Sequence, residues 1–167
     1  ALSCESGLSI ERLVNRWSSA AFAVSPTSGL ELLLGDTAFT GRAFTTTEIT
    51  IADTTATITM VGGRPELPLE LTATFATDTS PQLQVRLAAR NTGNAPLQAT
   101  VSFPMIRSLT IADWDDTWLF FPQYRTVITN QLGTYSSHND LKFPTQVFDA
   151  YNPRVGAGLA VLTRNQN

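Results

Sequence analysis

Cysteine, lysine and histidine occur once each in this sequence, as Cys4, Lys142 and His138. A lone cysteine excludes an internal disulfide framework and any multi-thiolate zinc site. One histidine cannot build a zinc cluster without carboxylate partners, and no helical His-x-x-x-His spacing exists, so no metal site is expected. No G-x-S-x-G elbow occurs, and Ser136, Ser137, His138 and Asp140 read as an exposed loop instead of a nucleophilic relay. Phosphate-cradling glycine motifs are missing as well; Gly62 and Gly63 sit between strand patterns and read as a turn, and no cofactor is expected. Charge is sparse, at 15% of residues, with a formal net value of −3 and ten arginines scattered singly around the one lysine. Nothing there neutralises a phosphate backbone, which argues against a nucleic-acid partner. No apolar run approaches the ~20 residues of a membrane helix, so no membrane span is expected.

What remains is a chain whose polar surface is carried by Thr, Ser, Asn and Gln, long enough at 167 residues for one domain with a substantial core. A single domain over 1–167 is the expectation, as a free-standing protein or as a fragment of a longer one. The chain opens on Ala, and "ALSC" has the look of a lipoprotein cleavage box, except that Ala1 stands where such a box prefers Leu. A secreted or cell-envelope location is favoured over the cytoplasm.

The apolar residues recur at a period of two. In "LELTATF", Leu69, Leu71, Ala73 and Phe75 alternate with Glu70, Thr72 and Thr74; "QLQVRLAAR", "ATITM" and "LQATVSF" repeat the pattern. Each such segment is expected to have one buried and one wet face. Turn chemistry separates them: "VGGRPE", "DTSPQ", "NTGNAP". Strands are predicted near residues 10–15, 20–25, 30–34, 48–52, 55–61, 67–77, 82–91, 96–111, 117–121, 145–149 and 156–163. About eleven strands with little or no helix make an all-β, antiparallel β-sandwich. "SIERLVNRW", the one segment with helical colouring, reads as strand. From Pro122 to Pro144 the pattern weakens, and a long loop or loose hairpin over one sheet face is predicted, with "TVI" as a short strand.

Chemistry-bearing residues gather between 113 and 151. Asp113, Asp115 and Asp116 lie within four residues. Paired carboxylates serve glycoside hydrolysis, but such a pair straddles the scissile bond and comes from separate elements, so a hydrated turn is the better reading and a calcium site the next. Trp114, Trp118, Phe120, Phe121, Tyr124, Tyr135, Phe143, Phe148 and Tyr151 crowd this window, whereas residues 76–113 hold only Phe103. In "TWLFF", Trp118 and Phe120 face one way and Leu119 and Phe121 the other, so one pair is expected to be core. Aromatic rings bind sugars by covering the apolar C–H face while neighbouring polar side chains hold hydroxyls. Trp114, Asp116, Trp118, Tyr124, Arg125, Asp149 and Tyr151 are the candidate ligand-binding residues, with Trp114 and Tyr124 favoured because they flank Asp and Arg in loops; no catalytic residue is assigned.

The second half, "LQVRLAARNTGNAPLQATVSFPMI", "DTWLFFPQ", a polar interval and "PTQVFDAYNPRVGAGLAVLTRN", resembles the N-terminal galactose-mutarotase-like β-supersandwich domain of large bacterial glycoside hydrolases of the α-galactosidase type. The matching positions are Asp116, Leu119 and Pro122 at a corner, Asp149 and Tyr151 at a strand end, then Gly156, Gly158, Leu159 and Leu162. "GLSIERLVNRW" and "GLELLLG" are similar to the first strands of such domains. The sequence departs from them at Pro122-Gln123, where a Pro-Gly pair is common. The resemblance implies a non-catalytic accessory domain that binds carbohydrate weakly or packs against an adjoining catalytic barrel. Two alternatives stay open: an autonomous glycosidase or aldose mutarotase using carboxylates in the sheet concavity, and a structural jelly-roll interaction module.

Overall fold

The structure is a computed structural model that describes residues 2–4, 7–15, 18–22, 24–25, 29–80, 82–121, 127–131 and 147–162, the side chains of Phe121 and Val127 aside. All sheets are antiparallel, and the helical content of the described residues is two 3₁₀ turns, Gly41–Ala43 and Trp114–Asp116. The chain is all-β. It divides into two compact units, one made of Ala1–Glu11 and Val24–Arg107 and the other of Arg12–Ala23 and Ser108–Asn167.

The first unit is a sandwich of two sheets. One carries β1 (Leu2–Ser3), β2 (Ser9–Ile10), β5 (Gly29–Leu34) and β11 (Thr100–Met105), with β6 (Thr37–Thr40) also paired to β5. The other is a meander of β7 (Phe44–Ala52), β8 (Thr55–Gly62), β9 (Leu69–Thr77) and β10 (Leu83–Asn91). Alternation in β9 buries Leu69, Leu71, Ala73 and Phe75 and leaves Glu70, Thr72 and Thr74 partly exposed. These side chains join Ile58 and Met60 of β8 and Phe44 of β7, and meet Leu30 and Leu32 of β5 and Phe39 of β6 in one core cluster. Two sheets that share their inner faces in this way exclude water from both, which is what holds a sandwich together.

Several strands depart from the sequence reading for identifiable reasons. β6 was not expected; it follows a two-residue turn, Gly35-Asp36, in which Gly35 takes φ 56°, a conformation glycine adopts without strain. β11 is shorter than the predicted 96–111, and its pairing with β5 shifts register between Ser102 and Met105, where Pro104 has no N–H to give. Leu97 and Val101 are exposed rather than on a buried face. In β10 Val85 and Leu87 reach the core and Leu83 is exposed, because among the described residues this strand is the sheet's edge, paired with β9 alone.

The second unit pairs β12 (Trp118–Phe121), β13 (Val127–Thr129), β14 (Val147–Asn152) and β15 (Ala157–Leu162) in the order β13-β12-β14-β15. A small hairpin, β3 (Leu13–Val14) with β4 (Ala21–Phe22), comes from the segment predicted as strands 10–15 and 20–25. Phe22, Leu13, Ile111 and Leu109 pack with Leu119, Phe148, Ala150, Ala157 and Leu159. One face of the sheet is therefore core. Most of the polar interval 122–144, including its expected covering loop, lies outside the described residues; β13 includes the predicted "TVI" strand in part.

Neighbouring residues of β9 give a direct test of this layering. Leu71→Ala should cost about 2–5 kcal/mol, because the side chain is fully buried. Glu70→Gln on the opposite face removes an exposed ion pair with Arg90 and should leave the denaturation midpoint nearly unmoved. Equal losses in urea denaturation would overturn the assignment of faces.

Candidate functional site

Strand alternation and register build the site on the other face of the second unit's sheet. In an antiparallel sheet, residues directly opposite point the same way. Trp118 pairs with Tyr151, and Tyr151 pairs with Gly158, forming one rank across three strands. The next rank runs Ile128, Phe120, Asp149, Ala160, and beyond it Val147 stands beside Leu162. Leu119 and Ala150, which alternate with these residues, are 9% and 2% exposed, whereas Trp118 and Tyr151 are 43% and 46% exposed. The core thus takes one set of side chains and turns the other outward.

Gly158 shapes this surface. A Cβ there would stand 3.1 Å from Tyr151 Cδ2 and 2.7 Å from the Ala150 carbonyl oxygen, so the Tyr151 ring reaches over a position that only glycine leaves clear. Trp118 and Tyr151 are cross-strand neighbours on this face, with further apolar surface from Phe120, Ile128 and Leu162. Asp149 is the carboxylate within this surface, opposite Phe120 on one side and Ala160 on the other. Loss of water raises its pKa above the ordinary carboxylate range, a backbone hydrogen bond at Ala150 opposing that shift in part.

The aspartate corner is a different environment. Ala112 takes a left-handed φ of 54°, and Trp114–Asp116 form a 3₁₀ turn before Thr117 enters β12. Buried Asn152 closes the turn: its Nδ2 donates to the Ile111 carbonyl at 2.9 Å, the Asp113 carbonyl at 3.2 Å and Thr117 Oγ1 at 3.1 Å. Its Oδ1 accepts from the backbone N–H of Arg154 and Val155. Thr117 Oγ1 donates toward the same two carbonyls, Ile111 and Asp113. The corner's backbone is held inward and its carboxylates point outward, Asp116 meeting Arg154 at 2.8 Å with Asp113 at 3.8 Å from the same guanidinium. The hydrated-turn reading describes this arrangement. Among the described residues no group of three or more His, Cys, Asp or Glu side chains is placed to hold a metal.

Of the seven candidate residues, Trp118, Asp149 and Tyr151 come together on the open face. Asp116 belongs to the corner. Trp114, expected as an exposed loop ring, instead packs with the core cluster, its indole N–H buried without a hydrogen-bond partner among the described residues. The acidic neighbours that favoured an exposed reading are on a 3₁₀ turn, which sends adjacent side chains in different directions. Tyr124 and Arg125 lie outside the described residues, as does His138. Sequence reasoning missed Asn152, Gly158, Ile128 and Leu162; continuing the alternation of "VFDAYN" to its last residue assigns Asn152 to the buried side. A shallow cavity of about 370 Å³ in the first unit, lined by Gly62, Gly63, Arg64, Leu67 and Thr92 among others, carries no cluster of ionisable groups.

No protein family, curated protein or solved structure matches the chain. Among the described residues no helix is long and apolar enough to cross a membrane.

Two outcomes follow from this geometry. Asn152→Ala leaves several buried backbone groups without partners and should lower stability by roughly 2–3 kcal/mol, read as a lower denaturant midpoint at unchanged slope. Asp149 works in the opposite sense. Its carboxyl keeps its proton to higher pH in the fold than in the unfolded chain, so stability falls as pH rises through the window between the two pKa values and stays lower above it. Asp149→Asn should therefore raise the melting temperature at neutral pH and lose that advantage in acid. A variant less stable than the parent at neutral pH contradicts the desolvated carboxylate.

Proposed function

We propose that this chain is an accessory β-sandwich module of a carbohydrate-active enzyme, a glycoside hydrolase, and that it binds carbohydrate weakly through the open sheet face of its second unit. The observation that carries the reading is the exposed cross-strand pair Trp118 and Tyr151 with Asp149 on the same face. A pyranose presents an apolar C–H face and a rim of hydroxyls. Two exposed aromatic side chains paired across strands supply an apolar platform for the first, and a carboxylate on the same face accepts hydrogen bonds from the second. The platform stands on strands rather than on loops, which favours a preformed site with little ordering cost. The resemblance to supersandwich domains of glycoside hydrolases points to the same class of ligand, though the motifs that carry it are general ones.

Hydrolysis by this face itself is the less supported reading, because that chemistry uses two carboxyl groups about 5–9.5 Å apart and the described part of the face offers Asp149 alone. Packing against an adjoining catalytic domain is favoured by Ile128 and Leu162, 64% and 59% exposed at the margins of the same surface.

Titration of an oligosaccharide panel against the purified chain, followed by tryptophan fluorescence, tests the proposal. Binding is expected in the weak range, with Trp118→Ala and Tyr151→Ala each lowering affinity by about tenfold or more at unchanged melting temperature. Silence toward every sugar, or binding that survives Trp118→Ala, sinks it.

A further inference from the structure

We infer that the open face takes a cationic glycan, a 2-amino-2-deoxy sugar with a free ammonium group, its ring on Trp118 and Tyr151 and its ammonium against Asp149. This rests on reading the face as a carbohydrate site and narrows the ligand within that class.

The argument is one of charge complementarity. Asp149 stands in a rank whose other members are Ile128, Phe120 and Ala160, and the neighbouring ranks are Trp118, Tyr151, Gly158 and Val147, Leu162. Its carboxylate makes no hydrogen bond or ion pair with any described side chain, unlike Asp116 at the corner, which meets Arg154. An ionised carboxylate on apolar surface has lost water for little more than the backbone hydrogen bond at Ala150, and a ligand cation restores what was lost. The flanking rings add to the same preference, because the negative faces of indole and phenol attract a cation lying over them, as in sites for amines. Neutral N-acetylated sugars cover the rings and can hydrogen-bond the carboxylate but bring it no counter-charge, and uronic acids bring a second negative charge to it.

Dimensions agree. Asp149 and Tyr151 are two residues apart on β14, so their Cα atoms are separated by about 6.8 Å, and Asp149 is diagonal to Trp118 at roughly 7–8 Å. A pyranose stacked on the pair therefore brings a ring substituent to the carboxylate without any strand moving. No comparable meeting of rings and carboxylate occurs at the aspartate corner, where Trp114 is packed into the core.

The test uses the whole chain and three probes: a glucosamine tetramer, its N-acetylated counterpart and a galacturonic acid tetramer, each titrated at mildly acidic pH. The glucosamine tetramer is expected to bind at least about tenfold tighter than the acetylated one, and the uronic acid least. Asp149→Asn should erase the preference by weakening the amino sugar alone, whereas Asp115→Asn, the same charge change at the corner, should not. Equal affinities for the amino and acetylated tetramers overturn the inference while leaving the carbohydrate reading standing. Amino-sugar binding that persists in Trp118→Ala marks general attraction of a polycation to an acidic protein and overturns it as well. No binding by any probe removes both this inference and the reading beneath it.

Discussion

Burial of one face of β14 is the constraint on which the second unit depends. Phe148, Ala150 and Asn152 point toward a cluster closed by Phe22, Leu119, Ala157 and Ile111, with Ala150 and Asn152 fully buried and Phe148 partly so. The backbone has only two faces, so Val147, Asp149 and Tyr151 must point the other way. A register slip of one residue would expose Phe148 and bury Asp149, losing apolar burial and desolvating a charge in the same step. The open face is thus a consequence of the core behind it, and its composition is as strongly specified as the core's own.

The polar part of that core does a second job. Asn152 and Thr117 hold the carbonyls of Ile111 and Asp113, which lets the chain turn sharply into β12 without leaving buried backbone groups unmatched. The turn sets where Trp118 begins, and so places it opposite Tyr151. Carboxylates at this corner are turned toward solvent, and Asp116 and Asp113 meet Arg154. Asp149 is partly buried among apolar neighbours and has no ion pair among the described residues. The corner aspartates and Asp149 therefore differ in physical character, decided by which side of a strand or turn each occupies.

Much of this was legible beforehand. The all-β antiparallel class follows from period-two alternation over "LELTATF" and "ATITM", and the opposite facing of Trp118 and Leu119 follows from "TWLFF" alone. Where the reading went astray, local pattern was overruled by position in the sheet. Leu83 alternates like a core residue but sits on an edge strand, and Leu97 precedes its strand altogether. Trp114 was judged by its acidic neighbours, yet the 3₁₀ turn carries it into the core while they remain outside.

What the sequence by itself determined is the class of structure and the two-sidedness of each strand, because both depend on spacing within a few residues and on where apolar side chains can escape water. What only the tertiary structure decided is partnership. That Trp118 lies beside Tyr151, that Phe120 and Ala160 flank Asp149, and that Gly158 leaves room for a ring all depend on register between strands far apart in the chain. Register is set by the summed burial of a whole face and by the turns that feed it, and no local stretch contains that sum.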